Sequence, residues 1–385
     1  MKSLLVNQRK SIAVNTRFLI KNKLEGIGLF TYESLKRIVQ AHPDIDFYFL
    51  FDRPYDPEFI FAPNVKPVVL FPQARLTFLW YWWFEISVAG WLKKHKPDLF
   101  LSTDGYGCLN TQVPQVVVMH DLAFEHFKQH VPYLSLKYYL YFTPLFAQKA
   151  TRLATVSQYS KQDIIAKYGI AADKIDVVYN GAKEVYQPVI ANVKQQVLQK
   201  YTGGKNYFIY VGSIHPRKNV GNLLLAFDKF KAETNSDYQL LIVGRKAWDF
   251  KEVEAIHAGM QHGSQVRFLG HVSPEELGPL VASAFAMVYV SLFEGFGIPI
   301  VEAMHSQVPV ITSNITSMPE AAGDAALLVN PYSVDDIAAA MKKLFNEPEL
   351  HKSLIEKGRQ QVQKFSWDLT AQKLWACCQK VMNNN

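Results

Sequence analysis

Short apolar runs recur along this chain, separated by stretches of helical periodicity, and this alternation constrains the fold more than any other feature. The runs Ser11–Asn15, Phe47–Phe51, Val65–Leu70, Leu99–Ser102, Val116–His120, Leu153–Val156 and Ile175–Val178 are rich in β-branched and aromatic residues. Helical patterns such as Thr31–Ala41, Leu134–Lys149 and Ser160–Lys167 lie between them. Strands alternating with helices predict a parallel sheet covered on both faces. The pattern lapses over residues 185–204, where Pro188, a polar helix-like stretch and Gly203-Gly204 read as a linker. It then restarts with Phe208–Val211, Gln239–Val243, Val266–Leu269, Met287–Val290, Val308–Thr312 and Ala326–Val329. The expected fold class is therefore α/β, with two doubly wound Rossmann-like domains, residues 1–188 and 189–365, facing each other across a cleft. A last helix follows over 366–385, with Ser366 as its N-cap. In such sheets ligands bind beyond the carboxyl ends of the strands, so candidate residues are sought just after strands.

A length of 385 residues suits two domains, and 49% hydrophobic against 19% charged residues suits packed ones. The net charge of +7 favours an anionic partner: nucleic acid, an anionic membrane surface or a phosphorylated substrate. Lys and Arg never run more than two together, which argues against a nucleic-acid-binding arm. The three cysteines, Cys108, Cys377 and Cys378, fit neither a disulfide framework nor a zinc site and point to a reduced, cytoplasmic setting. Met1 to Lys10 has no apolar stretch of the kind a secretory signal needs. Leu76–Leu92, LTFLWYWWFEISVAGWL, ends in a basic cluster and contains Glu85. It is slightly short of a spanning helix. Two readings stand: a buried core helix between strands, or an amphipathic helix on an anionic membrane interface at the inner face of the membrane.

Four strand ends carry candidate chemistry. After Met287–Val290, the run Phe-Glu-Gly-Phe-Gly-Ile-Pro-Ile-Val-Glu over 293–302 is a glycine loop leading into a helix, with Glu294 and Glu302 on either side of the helix start. A helix N-terminus suits a diphosphate. Carboxylates suit sugar hydroxyls. After Phe208–Val211, the loop Gly212 to Asn219 presents Arg217 and Lys218, cations that can meet the charge building on a departing diphosphate. His120-Asp121 follows an apolar run directly, which places His120 where a reacting sugar or acceptor would lie. Gly26-Ile27-Gly28 follows the first strand, and its glycines would let backbone N–H groups approach a phosphate, or else form a plain turn. Gly244-Arg245-Lys246 is a further basic strand end. Asn180-Gly181 is a turn at the domain junction. Asp44-Ile45-Asp46 precedes a strand and reads as a solvated loop, and no metal is expected because Arg217 and Lys218 can neutralise a diphosphate.

With these residues in view, the chain resembles glycosyltransferase family 4, whose members have the GT-B fold. The resemblance rests on Gly26-Ile27-Gly28, His120-Asp121, Thr155-Val156-Ser157, Tyr179-Asn180-Gly181, Gly212 to Asn219 and, above all, the E-x7-E pattern from Glu294 to Glu302 with its GFGIP core. It implies retaining, metal-independent transfer from a nucleotide-diphosphate sugar to a saccharide or glycolipid acceptor, the sugar donor being a substrate and no cofactor being required. It implies catalytic roles for His120, Arg217, Lys218 and Glu294. Donor binding would fall to Gly28, Gly212, Ser213, Arg217, Lys218, Glu294, Gly295, Phe296, Gly297, Ile298 and Glu302. Glu302 would hold the nucleotide ribose, Glu294 the donor sugar, and Arg217 and Lys218 the diphosphate. Ser213 stands where one common family form has an Arg, and Arg217 can take over that charge. The segment from Ser366-Trp367 resembles the family's helix that crosses back to the first domain. Other reaction classes on such a fold are a nucleotide-sugar epimerase and a catalytically inactive nucleotide-sugar-binding module.

Overall fold

The computed structural model describes residues 9–245 and 250–383. Lys246 lies outside the described residues. The chain divides into two compact units. The first runs to Asn180 and takes back the chain from Trp367, and the second is Gly181–Ser366.

The first unit holds seven parallel strands: β1 Ser11–Asn15, β2 Asp46–Phe51, β3 Val65–Val69, β4 Leu99–Ser102, β5 Gln115–Met119, β6 Arg152–Thr155 and β7 Ile175–Val177. Their order is β3-β2-β1-β4-β5-β6-β7. The second unit holds six: β8 Tyr207–Val211, β9 Gln239–Val243, β10 Val266–Gly270, β11 Ala286–Tyr289, β12 Val310–Ser313 and β13 Ala326–Val329, in the order β10-β9-β8-β11-β12-β13. The expected strands all form, each within two residues of its sequence-derived ends. Central strands such as β4, β5, β11 and β12 are buried along their whole length, as strands covered on both faces must be. Pro67 sits in β3, an edge strand, where its missing N–H leaves no ladder bond unmade.

In each sheet the strand order reverses once. The neighbours at the reversal are β1 and β4 in the first sheet, and β8 and β11 in the second. Loops leaving two such strands diverge to opposite faces, and ligands bind in the crevice this opens.

Three segments differ from their sequence-derived reading. The first helix is Ile27–Ala41 and begins four residues before the periodicity starts, because Gly26 (φ 49°) turns the chain into it. Gly28 is therefore a helical residue and not a loop residue. A Cβ there would meet the Phe18 carbonyl oxygen at 2.9 Å, so packing demands this glycine. Residues 185–204 contain the helix Ala191–Thr202, closed by Gly203 (φ 63°). The chain passes between units at Asn180/Gly181, earlier than residue 188, because Val185 already packs within the second unit, against Gly278. Leu76–Leu92 is three pieces: an α-helix Thr77–Trp82, wider π-helical turns over Trp83–Val88, and an α-helix Ala89–His95 ended by Lys96 in a left-handed conformation. Trp83, Phe84, Val88, Trp91 and Leu92 are core, whereas Phe78, Trp82 and Ile86 are 68%, 53% and 49% exposed. Neither expected reading accounts for the whole segment, since one face is core and the other is open. No described helix is long and apolar enough to cross a membrane.

The ends of β8 and β9 touch backbone to backbone. Gly212 N–H donates to Val243 O at 2.9 Å, and a Cβ on Gly244 (φ 144°) would fall 1.8 Å from Gly212 O. Gly244→Ala therefore pairs backbone strain with a clash that no rotamer relieves. It is expected to cost at least about 2 kcal/mol, read as a lowered urea midpoint at unchanged slope.

Candidate functional site

The candidate donor site is built at the strand reversal of the second sheet. Past β8 the chain enters a short 3₁₀ turn, Pro216–Lys218, capped by His215, whose Nδ1 accepts from Arg217 N–H at 3.2 Å. Asn219 follows at φ 60°, and its side-chain amide donates to Val290 O at 3.0 Å and to Pro331 O at 2.7 Å. This fixes the loop after β8 against the loop after β11. Leu292 N–H adds a bond to Arg217 O at 2.8 Å.

The two loops meet in a charge cluster around Glu294. Its Oε1 accepts from Lys218 Nζ at 2.5 Å and from Tyr289 OH at 2.8 Å, and Oε2 lies 3.4 Å from Arg217 Nη1. Arg217 Nη1 also donates to Phe293 O. Lys218 Nζ reaches Tyr289 OH at 2.8 Å. Ser317 Oγ donates to Glu294 O at 2.8 Å and pins the loop from the far side. Burial disfavours the Glu294 charge, but Lys218 and Arg217 outweigh it and hold the carboxyl at about 2. Two cations meet one carboxylate in a partly buried setting, a composition that suits a diphosphate.

The glycine loop then turns into the helix Ile298–His305, with Gly297 as N-cap at φ 99° and Pro299 in its first turn. Only glycine tolerates that φ without strain. Phe296 is buried against Phe365, with ring centroids 5.2 Å apart. Glu302 lies one turn inside the helix, buried, in surroundings unlike those of Glu294. Burial is the dominant influence and lifts its carboxyl to about 7, with Lys183 and a hydrogen bond from Tyr186 only partly opposing the rise. Two carboxylates eight residues apart are thus held in opposite protonation regimes.

Gly212, Ser213, Arg217, Lys218, Glu294, Gly295, Phe296, Gly297, Ile298 and Glu302 all belong to the second unit, on these two loops and one helix. Gly28 and His120 belong to the first. His120 follows β5, and its Nε2 lies 2.8 Å from Thr103 O. A carbonyl only accepts, so Nε2 carries the proton and Nδ1 keeps a lone pair. Burial lowers the His120 pKa, against the pull of Thr103 O, Asp121 and Asp104, and so favours the neutral ring. The Phe30 ring meets it edge-on at 4.9 Å. Three contributors were given no role by the sequence reading, although Asn219 stood in the loop it singled out. Tyr289 shares its hydroxyl with Glu294 and Lys218, Asn219 ties the loops, and Tyr186 reaches Glu302 across 116 residues of chain. Tyr289 is the last residue of β11, so the strand-end rule reaches it. No local signal marks Tyr186. Among the described residues no cluster of His, Cys, Asp or Glu has the arrangement of a metal site. The three cysteines are buried and form no disulfide.

Comparison with known proteins agrees with this architecture. A family model of glycosyl transferases group 1 matches residues 194–361, and one of Glycosyltransferase Family 4 matches residues 24–184. The O-antigen chain mannosyltransferase B of Escherichia coli is 33% identical over 255 residues, 66% of this chain and 67% of that protein. The O-antigen chain mannosyltransferase RfbU of Salmonella typhimurium is 30% identical over 61% of this chain and 62% of its own length. The solved sucrose-phosphate synthase of Thermosynechococcus elongatus superposes with a TM-score of 0.78 over 98% of this chain and 100% of its own, at 17% identity, a likeness of fold alone. The class is that of GT-B glycosyltransferases. Within it, the chain belongs to glycosyltransferase family 4.

The raised Glu302 carboxyl has a measurable consequence. Its folded pKa of about 7 exceeds the ordinary 4.5, so the folded state holds this proton more tightly than the unfolded one. The contribution of Glu302 to stability must then fall as pH rises from 4.5 to 7, by up to about 3 kcal/mol in all. Glu302→Gln is expected to be more stable than the natural protein at pH 8, and the gap to close by pH 4.5, in parallel thermal melts.

Proposed function

We propose that this glycosyltransferase moves a hexose, mannose, from a nucleotide-diphosphate sugar to a saccharide or lipid-linked acceptor, with retention of anomeric configuration and without a metal, in the synthesis of a cell-surface polysaccharide or glycolipid. The observation that carries the donor half is the Glu294 cluster. It combines two fixed cations, an ionised carboxylate and an adjoining helix N-terminus. The choice of mannose rests on what the two O-antigen relatives are named for.

Each group then has one task. Arg217 and Lys218 take the diphosphate oxygens, where negative charge grows as the bond to the sugar breaks. Glu294, ionised and accepting through both carboxylate oxygens, takes sugar hydroxyls. Backbone N–H groups of Gly295 to Ile298 line the sugar and diphosphate, Gly212 and Ser213 lie beside them, and Glu302 takes the ribose hydroxyls. His120 acts at the reaction centre, with its Nδ1 lone pair accepting from a hydroxyl. The acceptor oxygen attacks the anomeric carbon on the face from which the diphosphate departs. The new C–O bond forms as the old one breaks, and the acceptor proton passes to a leaving phosphate oxygen. The protein contributes position and charge stabilisation.

Lys218→Ala and Glu294→Gln are expected to lower transfer about 100- to 1000-fold with unchanged circular dichroism, since one lost transition-state contact of this kind is worth about 2.7–4 kcal/mol. Near-normal rates in both variants would sink the proposal. A thermal-shift screen with GDP, UDP, ADP and their sugars names the donor, because ligand at 100 times its Kd adds about 2.7 kcal/mol. Conversion of donor with no acceptor present would favour an epimerase. Donor binding with no transfer to any acceptor would favour an inactive module.

A second part of the reading is peripheral contact with an anionic membrane at the inner leaflet. Its support is the open face of the first unit. There the helix Tyr133–Lys149 lies beside Thr77–Trp82, joined by a Thr77–Ser135 hydroxyl bond of 3.0 Å. Phe78, Trp82, Tyr133, Leu134 and Tyr141 are exposed on the two helices. Arg75, Lys93, Lys94, Lys96 and Lys137 are exposed alongside, and the only acid of either segment, Glu85, is buried. Exposed aromatic residues together with exposed cations on the same stretches of chain fit an anionic lipid surface. Flotation with phosphatidylglycerol vesicles is expected to carry the protein, and Phe78→Ser/Trp82→Ser to abolish it. Absence of binding to both anionic and neutral vesicles would remove this part.

A further inference from the structure

The strand reversal of the first sheet holds a buried ion pair that no part of the proposed chemistry uses. Arg17, two residues past β1, and Asp104, two residues past β4, are each 6% exposed. Arg17 Nε and Nη2 both donate to Asp104 Oδ2, at 3.2 and 3.0 Å. The other carboxylate oxygen, Oδ1, accepts from Ser102 Oγ at 3.1 Å and Tyr106 N–H at 3.3 Å. The circle closes through the backbone. Arg17 N–H donates to Asn15 Oδ1 at 3.2 Å, and Asn15 Nδ2 donates to Ser102 Oγ at 3.0 Å, across the register pair Asn15↔Ser102. Above the guanidinium lie the rings of Tyr106, Phe18 and Phe84, at 4.5, 5.0 and 5.5 Å. A charge is costly to bury, and an ion pair tied by hydrogen bonds to both strand ends restrains the loops that carry it.

The residue enclosed by this clamp is Thr103. Its carbonyl is the acceptor that fixes the His120 proton on Nε2. Its hydroxyl lies 2.7 Å from Thr31 Oγ1, which itself donates to Ile27 O at 2.8 Å, so Thr103 is the donor of that pair. The Thr103 peptide is thus held from its side chain by Thr31 and from the following residue by Asp104 and Arg17.

We infer that Arg17 and Asp104 are positioning residues for His120, acting through the Thr103 carbonyl to set the tautomer and orientation of its ring. Ser160 Oγ, donating to His120 O at 3.2 Å, holds the backbone, and Phe30 meets the ring edge-on. Neither chooses which nitrogen carries the proton. Among the bonds described, that choice belongs to Thr103 O. The catalytic consequence rests on the proposed role of His120, but the positioning itself does not.

The test reads the ring directly. In full-length protein labelled with ¹⁵N-histidine at pH 8, long-range ¹H–¹⁵N correlations separate protonated from lone-pair nitrogens, and His120→Gln identifies the signals among eleven histidines. The natural protein is expected to show pure Nε2–H for His120. The double variant Arg17→Met/Asp104→Asn removes both charges and leaves no lone buried ion. It is expected to lose at least half of the shift difference between the two ring nitrogens, with far-ultraviolet circular dichroism unchanged. Arg17→Lys, which keeps the charge but loses the two-nitrogen link to Asp104, is expected to move the same signals less, and it decides the matter if the double variant does not fold. Retention of the natural His120 pattern in the folded variants overturns the inference. Transfer by the double variant is expected to fall about tenfold or more in kcat with donor KM within about twofold, as a misplaced group near the chemistry produces. An altered ring with an unaltered rate supports the clamp and counts against the role given to His120.

Discussion

A single reversal of strand order in a parallel sheet is the constraint on which both candidate sites depend. Where the order reverses, the loops leaving neighbouring strands turn to opposite faces, and the crevice between them exposes backbone ends that adjoining strands do not cover. Each reversal here is spanned by a salt link between the two loops. In the second unit Lys218 and Arg217, after β8, meet Glu294, after β11. In the first, Arg17, after β1, meets Asp104, after β4. The linkages differ in their charge balance. Arg17 and Asp104 cancel within a closed ring of hydrogen bonds, which suits a fixed support. The Glu294 cluster brings two cations to one carboxylate, which suits an incoming anion.

The alternation of apolar runs and helical stretches was enough to read the strands and the fold class, because a sheet buried on both faces must be written as continuous apolar runs. The strand-end rule then led to Arg217, Lys218, Glu294 and His120. What it missed follows from the same physics. Arg17 and Asp104 stand two residues beyond strands, as Glu294 stands five beyond β11, yet a lone Arg and a lone Asp carry no local pattern and gain meaning only when β1 and β4 are known to be neighbours. Tyr186 depends on tertiary contact alone. Gly28 was legible as a glycine with a purpose, read as a phosphate approach or a plain turn, and the close approach of Phe18 O is a packing reason that only coordinates supply. Leu76–Leu92 resisted a single reading because its hydrophobicity runs all round the helix, so periodicity could not show that only one face meets the core.

Environment, not residue type, separates the two glutamates of the 293–302 run. Glu294 gains two cations within reach of its carboxylate, and their attraction exceeds the cost of burial. Glu302 is buried with a tyrosine and a more distant lysine, and burial prevails. The first is an ionised group at any physiological pH and can only accept hydrogen bonds. The second sits near its midpoint at neutral pH, where a ligand that donates hydrogen bonds draws it toward the charged form. Partners that donate, such as a diol, would therefore bind with release of a proton, whereas partners of Glu294 would not.

The open apolar face of the first unit and the Arg17 clamp share a wall. Phe84, from the π-helical turns, stacks on Tyr106 with ring centroids 5.0 Å apart, and Trp80, from the helix before it, meets Tyr106 edge-on at 5.7 Å. The outward residues of that segment, Phe78, Trp82 and Ile86, lie on the same short helical pieces as the inward Trp80 and Phe84. Glu85 anchors the pieces from below, accepting from the backbone N–H groups of Leu109 and Asn110 at 2.9 Å each. A carboxylate placed in a core is expensive, and here its hydrogen bonds tie the π-helical turns to the loop after β4. The inner face of the segment that carries these exposed residues therefore lines the guanidinium of Arg17, whose partner Asp104 directly follows Thr103, the acceptor for His120 Nε2.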